Sequence, residues 1–192
     1  MKELIFATHN QNKVEEVKAV FNEYNIKSLA DVDYHTEIEE TAKTFEGNAL
    51  LKGKHIYDVF KTAVFADDSG LEVAALDGAP GVYSARYAGE EKNHKKNNAK
   101  LLEALAEATN RKAQFKTVIA YVDANTTICF EGVVKGEIAT ELNGTGGFGY
   151  DPLFVPEGYN ETCGALPSEV KLKLSHRSRA IALLFEHFKS LT

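Results

Sequence analysis

Apolar positions recur along this chain in two rhythms, short continuous runs and stripes spaced by three and four residues, and their alternation predicts the elements in order. Glu3 to Thr8 reads as a short buried strand. After a polar stretch, Val14, Val17, Phe21 and Tyr24 follow at spacings of three, four and three, an amphipathic helix. A second stripe, Phe45, Ala49, Ile56 and Phe60, predicts a helix opening near Thr44, with Glu46 in its first turn where the helix dipole favours an acid. Ala63-Val64-Phe65-Ala66 is a continuous apolar run, as in a strand covered on both faces, and it is expected to end in Asp67-Asp68-Ser69-Gly70. Leu71 to Leu76 predicts a further strand, closed by the turn sequence Asp77 to Gly81. A third helix is expected from about Glu91 to Ala108 on Leu101, Leu105 and Ala108. Phe115 to Val122 and Thr127 to Val134 flank Asp123-Ala124-Asn125-Thr126 as a hairpin, and a last helix runs from about Ser178 to Leu191 on Ile181, Leu184, Phe185 and Phe188. Strands and helices alternate first and a hairpin comes later, which predicts an α/β fold with a mixed sheet flanked by helices.

Length and composition narrow this further. At 192 residues, with no internal repeat and no Pro/Ser-rich linker, the chain reads as a single domain, 1–192, large enough to be bilobed. Burial of roughly 70% of the unfolded surface makes disulfide or metal staples unnecessary. The two cysteines, Cys129 and Cys163, show no zinc or disulfide spacing, and a reducing cytoplasm is the expected setting. The N-terminal apolar run is too short for a signal-peptide core, and no stretch approaches the ~18 apolar residues of a membrane span. With 22 Lys and Arg against 28 Asp and Glu, the net charge of −6 argues against a broad nucleic-acid footprint, though a small anion can still be held where cations gather.

Five segments carry candidate chemistry. Thr8-His9-Asn10-Gln11-Asn12-Lys13 joins the first strand to the first helix, where free backbone N–H groups and an ammonium can cradle phosphate; the alternative is a polar turn capped by Asn10 or Asn12. Asp67 and Asp68 are adjacent on a strand, so they point to opposite faces, and carboxylates at a sheet edge suit Mg²⁺, which takes one or two of them with phosphate and water oxygens. Glu37, Glu39 and Glu40 form an acidic cluster that gains meaning only if the fold brings it near Asp68. On the helix that follows, Asn48 and Lys52 are four apart and share a face. Gly144 to Pro152 holds four glycines and two aromatics in nine residues, a loop able to approach a ligand closely and to stack a base. Lys171 and Ser175-His176-Arg177 place three candidate cations ahead of the last helix.

Taken in order, Thr8-x-Asn10-x-x-Lys13, Ala66-Asp67-Asp68-Ser69-Gly70-Leu71, Gly78-Ala79-Pro80-Gly81-Val82-Tyr83-Ser84-Ala85-Arg86, Gly144 to Pro152 and Ser175-His176-Arg177 resemble the inosine triphosphate pyrophosphatase family, enzymes acting on non-canonical purine nucleoside triphosphates. The resemblance spans essentially the whole chain. It implies two lobes with a central substrate cleft, a homodimer, and a Mg²⁺-dependent hydrolase that cuts the α–β phosphoanhydride of ITP, dITP and XTP, clearing deaminated purines from the nucleotide pool. Residue by residue, it implies triphosphate binding by Thr8, Asn10 and Lys13, with Lys52 expected to assist, a general base at Asp68 and a substrate contact at Ser69. Metal binding falls to Glu40 with Asp68, Glu39 being the neighbouring alternative. Phe148, Gly149, Tyr150 and Asp151 match the base-binding loop. Lys171, His176 and Arg177 match the recognition residues that follow it, with Lys173 as a rival to Lys171.

Overall fold

The computed structural model describes residues 3–21 and 23–190. Its elements run β1 (Glu3–Phe6), α1 (Gln11–Val20), β2 (Asn25–Ser28), α2 (Phe45–Phe60), β3 (Val64–Val73), α3 (His94–Ala104), β4 (Lys112–Val122), β5 (Thr127–Ile138), β6 (Phe154–Pro156), α4 (Ser168–Leu174) and α5 (His176–Ser190), with short 3-10 turns at Ala30–Val32, Ala74–Leu76 and Gly81–Arg86. Six strands form one sheet in the order β2-β1-β3-β4-β5-β6. The sheet is mixed: β1 pairs in parallel with β2 and with β3, whereas β5 and β6 are antiparallel. The chain divides into two compact units, Met1–Asp68 with Thr117–Gly132 and Arg177–Thr192, and Ser69–Lys116 with Val133–His176.

In the first unit the period of two along β1 sorts side chains onto two faces. Leu4 and Phe6 pack with Phe65, Ile119 and Tyr121 against Val14 and Val17 of α1 and Ile181, Leu184, Phe185 and Phe188 of α5. Ile5 and Ala7 turn the other way, joining Val64 and Ala66 against Ala49 and Ile56 of α2. Burying each large side chain contributes about 1.5–3 kcal/mol, so both faces of this sheet are held by helices. Phe6 and Phe65, neighbours across the β1–β3 ladder, stack at 4.5 Å. In the second unit, Leu71 and Val73 of β3 meet Leu101 and Leu105 around α3, together with Val134, Ile138, Tyr150, Leu153 and Phe154.

The structure corrects several boundaries. No break separates 63–66 from 71–76: β3 runs unbroken from Val64 to Val73, so Asp67 and Asp68 lie within the strand rather than at its end, and 74–76 is a 3-10 turn. The Asp-Ser-Gly letters favour a turn locally. An interior position between β1 and β4 prevails because the charge of Asp67 is matched inside the protein, which removes the drive to expose it. Helix α3 is shorter than 91–108: Asn93 caps its first turn by accepting from the Lys96 N–H at 3.1 Å, and after Ala104 the chain tightens into i to i−3 bonds such as Ala106 N–H to Glu103 O. Tyr24 lies beyond α1, yet its ring stacks on Phe185 at 4.1 Å. Helix α5 begins two residues before Ser178, and Leu191 lies outside the described residues. β2, β6 and α4 escape the apolar pattern. In β2 only Ile26 is apolar, and the strand exists through its pairing with β1.

Candidate active site

In the first unit, the loop from β1 to α1 is organised by its own polar side chains. Thr8 Oγ1 accepts the Asn10 N–H at 3.1 Å, and Asn10 caps α1 by accepting the Lys13 N–H at 3.4 Å. One turn into the helix, Lys13 Nζ reaches Asp67, 3.0 Å from Oδ1 and 2.9 Å from Oδ2. Arg177, at the start of α5, donates from Nε to Asp67 Oδ2 at 3.0 Å and pairs through Nη1 with Glu16 of α1. Asp67 has no exposed surface and Arg177 only 2%. Burial alone would push the Asp67 carboxyl up, but Lys13 and Arg177 overcome it and hold Asp67 far below the usual carboxylate range. Lys13 shows the opposite balance: burial lowers its ammonium, Asp67 resists, and Arg177 and Lys52 add to the fall.

Asp68, the next residue along β3, has a different set of neighbours. Its Oδ2 accepts from Asn48 Nδ2 at 2.9 Å, and Asn48 Oδ1 in turn accepts the Ala42 N–H at 2.9 Å, so one buried amide ties the segment ahead of α2 to the carboxylate. Lys52, one turn beyond Asn48, pairs with Glu40. Burial pushes Asp68 up, Glu40 adds to the rise, and Lys52 with the Asn48 amide opposes it, leaving Asp68 at about 6. Burial works against the Lys52 charge too, but Glu40, Asp67 and Asp68 together raise it above its ordinary value. Of the acidic cluster ahead of α2, Glu37 and Glu39 are exposed, while Glu40 is the one drawn in to Lys52. Among the described residues no three His, Cys, Asp or Glu side chains gather into a ready-made metal site. The pair Glu40 and Asp68 nevertheless suits Mg²⁺, whose remaining ligands are typically water and phosphate oxygens.

In the second unit the glycine-rich loop is fixed by backbone bonds. The Gly146 N–H donates to Gly164 O at 2.9 Å, and the Gly164 N–H donates to Asp151 O at 2.8 Å. Asp151 Oδ2 accepts the Phe148 N–H at 2.8 Å and pairs with Lys171 Nζ at 2.7 Å, while that ammonium also stands 5.0 Å from the centre of the Phe148 ring. Gly147, at φ 74°, sits against this arrangement, and a Cβ there would collide with Asp151 Oδ2 and Lys171 Nζ. The Gly149 carbonyl accepts from Asn98 Nδ2 at 3.0 Å, and the buried Tyr150 hydroxyl donates to Ser84 O at 2.7 Å, its ionisation pushed up by burial.

The structure therefore joins Lys13, Lys52, Asp68 and Glu40 into one group within the first unit, and Phe148, Asp151 and Lys171 into another within the second. Lys173 is exposed, so Lys171 is the lysine turned to the loop. Of the candidate cations around 171–177, Lys171 pairs with Asp151, Arg177 pairs with Asp67 and Glu16, and the His176 ring stacks on Phe115 at 5.0 Å. Ser69 is half-buried in β3. Sequence reasoning gave no role to Glu16, Ser84 or Asn98, although Glu16 stands three residues after Lys13 on the same helix and Ser84 lies within the 78–86 motif.

Fold and charge set together define a mixed-sheet α/β protein whose buried carboxylates and ammonium groups are equipped to bind and act on phosphate. Residues 4–187 match the Ham1 family, and the chain belongs to it. It is 47% identical to the dITP/XTP pyrophosphatase of Flavobacterium psychrophilum over 189 residues, 98% of this chain and 100% of that one. It is likewise 47% identical to the dITP/XTP pyrophosphatase of Porphyromonas gingivalis, covering 96% of each. The solved Staphylococcus aureus Ham1 protein superposes with a TM-score of 0.91 at 42% identity, over the whole of both chains.

Proposed function

We propose that this protein hydrolyses the α–β phosphoanhydride of dITP, XTP and ITP to the nucleoside monophosphate and pyrophosphate, removing deaminated purines from the nucleotide pool. The observation that carries this reading is the group formed by buried Asp68 and Lys52 with half-buried Glu40 and Lys13, in a chain nearly half identical over its length to dITP/XTP pyrophosphatases. Asp68 acts as general base. Near pH 7 a carboxyl at about 6 is mostly ionised, the form that accepts a proton from water, and a Mg²⁺ ion held beside it would favour that form further. The water oxygen attacks the α-phosphorus in line, its proton passes to Asp68, and the bond from α-phosphorus to the bridging oxygen breaks to release pyrophosphate. An ammonium carries three donors, so Lys13 and Lys52 each hold a carboxylate and a phosphate oxygen together. Their charge stabilises the oxygens as negative charge develops. Glu40 and Asp68 would hold Mg²⁺, which when bound neutralises phosphate charge and orients the leaving group.

In the second unit, Phe148 offers a ring for stacking the base, worth about 1–3 kcal/mol. Lys171 and loop N–H groups present donors to the C6 oxygen of hypoxanthine or xanthine. Adenine carries an amino group at that place, and donor facing donor leaves buried groups unpaired. We further propose, on the resemblance of its sequence, that the protein works as a homodimer in the cytoplasm; analytical ultracentrifugation tests the assembly. Among the described residues no helix is long and apolar enough to cross a membrane. The deciding assay measures pyrophosphate and orthophosphate from dITP, XTP, dGTP and dATP with and without Mg²⁺. Pyrophosphate from dITP and XTP alone, lost without the metal, is the expected result. Orthophosphate release or equal rates on all four would overturn the reading.

A further inference from the structure

Two adjacent asparagines on α3 do opposite things. Asn97 is satisfied at both ends: its Oδ1 accepts the Ala88 N–H at 2.7 Å and its Nδ2 donates to Ala85 O at 2.8 Å. Asn98 is only 5% exposed, and its Nδ2 donates to Gly149 O at 3.0 Å, while its Oδ1 is buried with no hydrogen-bond partner. A carbonyl only accepts, so Gly149 O fixes which end of the amide faces it, and the acceptor end is left without a donor. A buried acceptor in that state costs stability that an apolar side chain of similar size would not. What the amide supplies in return is a hold on a carbonyl in the base-facing loop, at a glycine whose φ is 63° and which has no side chain to fix its own peptide planes.

We propose that Asn98 is a positioning residue for base recognition. By fixing the Gly149 carbonyl from α3 it sets the peptide planes of the 147–151 loop, and so the alignment of the Phe148 ring and the neighbouring donors with the purine. The proposal rests on the function proposed above. It assigns Asn98 no contact with the reacting phosphate, so its effect belongs in substrate affinity and base selectivity rather than in the rate of cleavage.

The test uses the full chain with Asn98→Leu, and Asn98→Ala as a second variant in case the larger side chain fails to fold. Asn97→Leu serves as a control that strips hydrogen bonds from the Ala85 and Ala88 backbone. Three quantities are read: the Tm; kcat and KM for dITP and dATP; and the Kd for dIMP by calorimetry. The expected result for Asn98→Leu is an unchanged or higher Tm, kcat for dITP within about twofold of wild type, and KM raised on the order of tenfold. The Kd for dIMP rises and the dITP to dATP ratio of kcat/KM falls by similar factors. Asn97→Leu instead lowers the Tm and keeps the ratio. If the Asn98 variants retain wild-type KM, Kd and ratio while the wild type acts on dITP, the inference alone is overturned. A wild type that neither cleaves dITP nor binds dIMP overturns the proposed function and this inference with it; dIMP binding that weakens in the variants supports the inference even where turnover is absent.

Discussion

The two units build their candidate groups from different materials. In the first, charged and amide side chains on regular elements lock one another in place: Lys13 and Glu16 from α1, Asp67 and Asp68 from β3, Asn48 and Lys52 from α2, and Arg177 from α5. In the second, the group is mostly backbone, a glycine-rich loop held by Gly164, Asp151 and Asn98 with a single ammonium beside an aromatic ring. Moving charge during a reaction calls for fixed, desolvated charges, which helices and strands hold best. Recognising a flat base calls for close approach and aimed N–H groups, which glycine backbone supplies. One β3 dipeptide repeats the lesson at small scale. Asp67 is sealed between two cations and held as an anion, whereas burial and Glu40 raise the carboxyl of its neighbour Asp68 to about 6.

The sharpest break of this contrast is Asp68→Asn. Loss of the base is expected to lower kcat for pyrophosphate release by roughly 10²–10⁴-fold. The same substitution should stabilise the fold at neutral pH. The folded carboxyl, at about 6, lies above an unfolded value near ~3.9, so ionising Asp68 costs stability above that window. The Tm gain at pH 7 should therefore vanish below about pH 4 in thermal scans across pH. A variant that loses Tm at pH 7 would show that Asp68 supports the fold instead.

Asp67→Asn tests the sealed partner. It leaves Lys13 and Arg177 facing a neutral amide, and urea unfolding should show a loss on the order of 3–5 kcal/mol. A loss under about 1 kcal/mol would mean that the ion group is not what holds α1 and α5 to β3. Gly147→Ala probes the second unit. Strain at positive φ and collision with Asp151 and Lys171 should raise KM for dITP about five- to tenfold with kcat nearly kept, whereas a fall in kcat alone would dissolve the division of labour drawn between the units. The smallest effect is expected at Asp31→Asn. Hydrogen bonding from the Ser28 N–H at 2.8 Å and from Lys18 holds this half-exposed carboxyl below its ordinary value, so its contribution is complete above about pH 4 and fades as pH falls through the depressed value. Exposed pairs are worth about 0–1 kcal/mol, and chemical unfolding at pH 7 should register no more.

Period and charge are local properties of the chain, and they were enough to read off the alternation of strands and helices, the apolar stripes that became the cores, and the residue types able to handle phosphate. Phe45, Ala49 and Ile56 point inward as their spacing predicts, and Ile181, Leu184, Phe185 and Phe188 do the same. Tertiary structure alone decided that Asp67-Asp68-Ser69-Gly70 is strand rather than turn, since that depends on cations from α1 and α5 meeting Asp67. It also decided which glutamate joins Asp68, which lysine faces the loop, and that Arg177 pairs with Asp67 and Glu16. Such pairings cross 110 residues between Asp67 and Arg177, and no periodicity reports contacts made at that separation. Asn98 is the plainest case: a polar letter on a polar stretch of helix becomes a buried hold on Gly149 only once α3 and the loop are folded together.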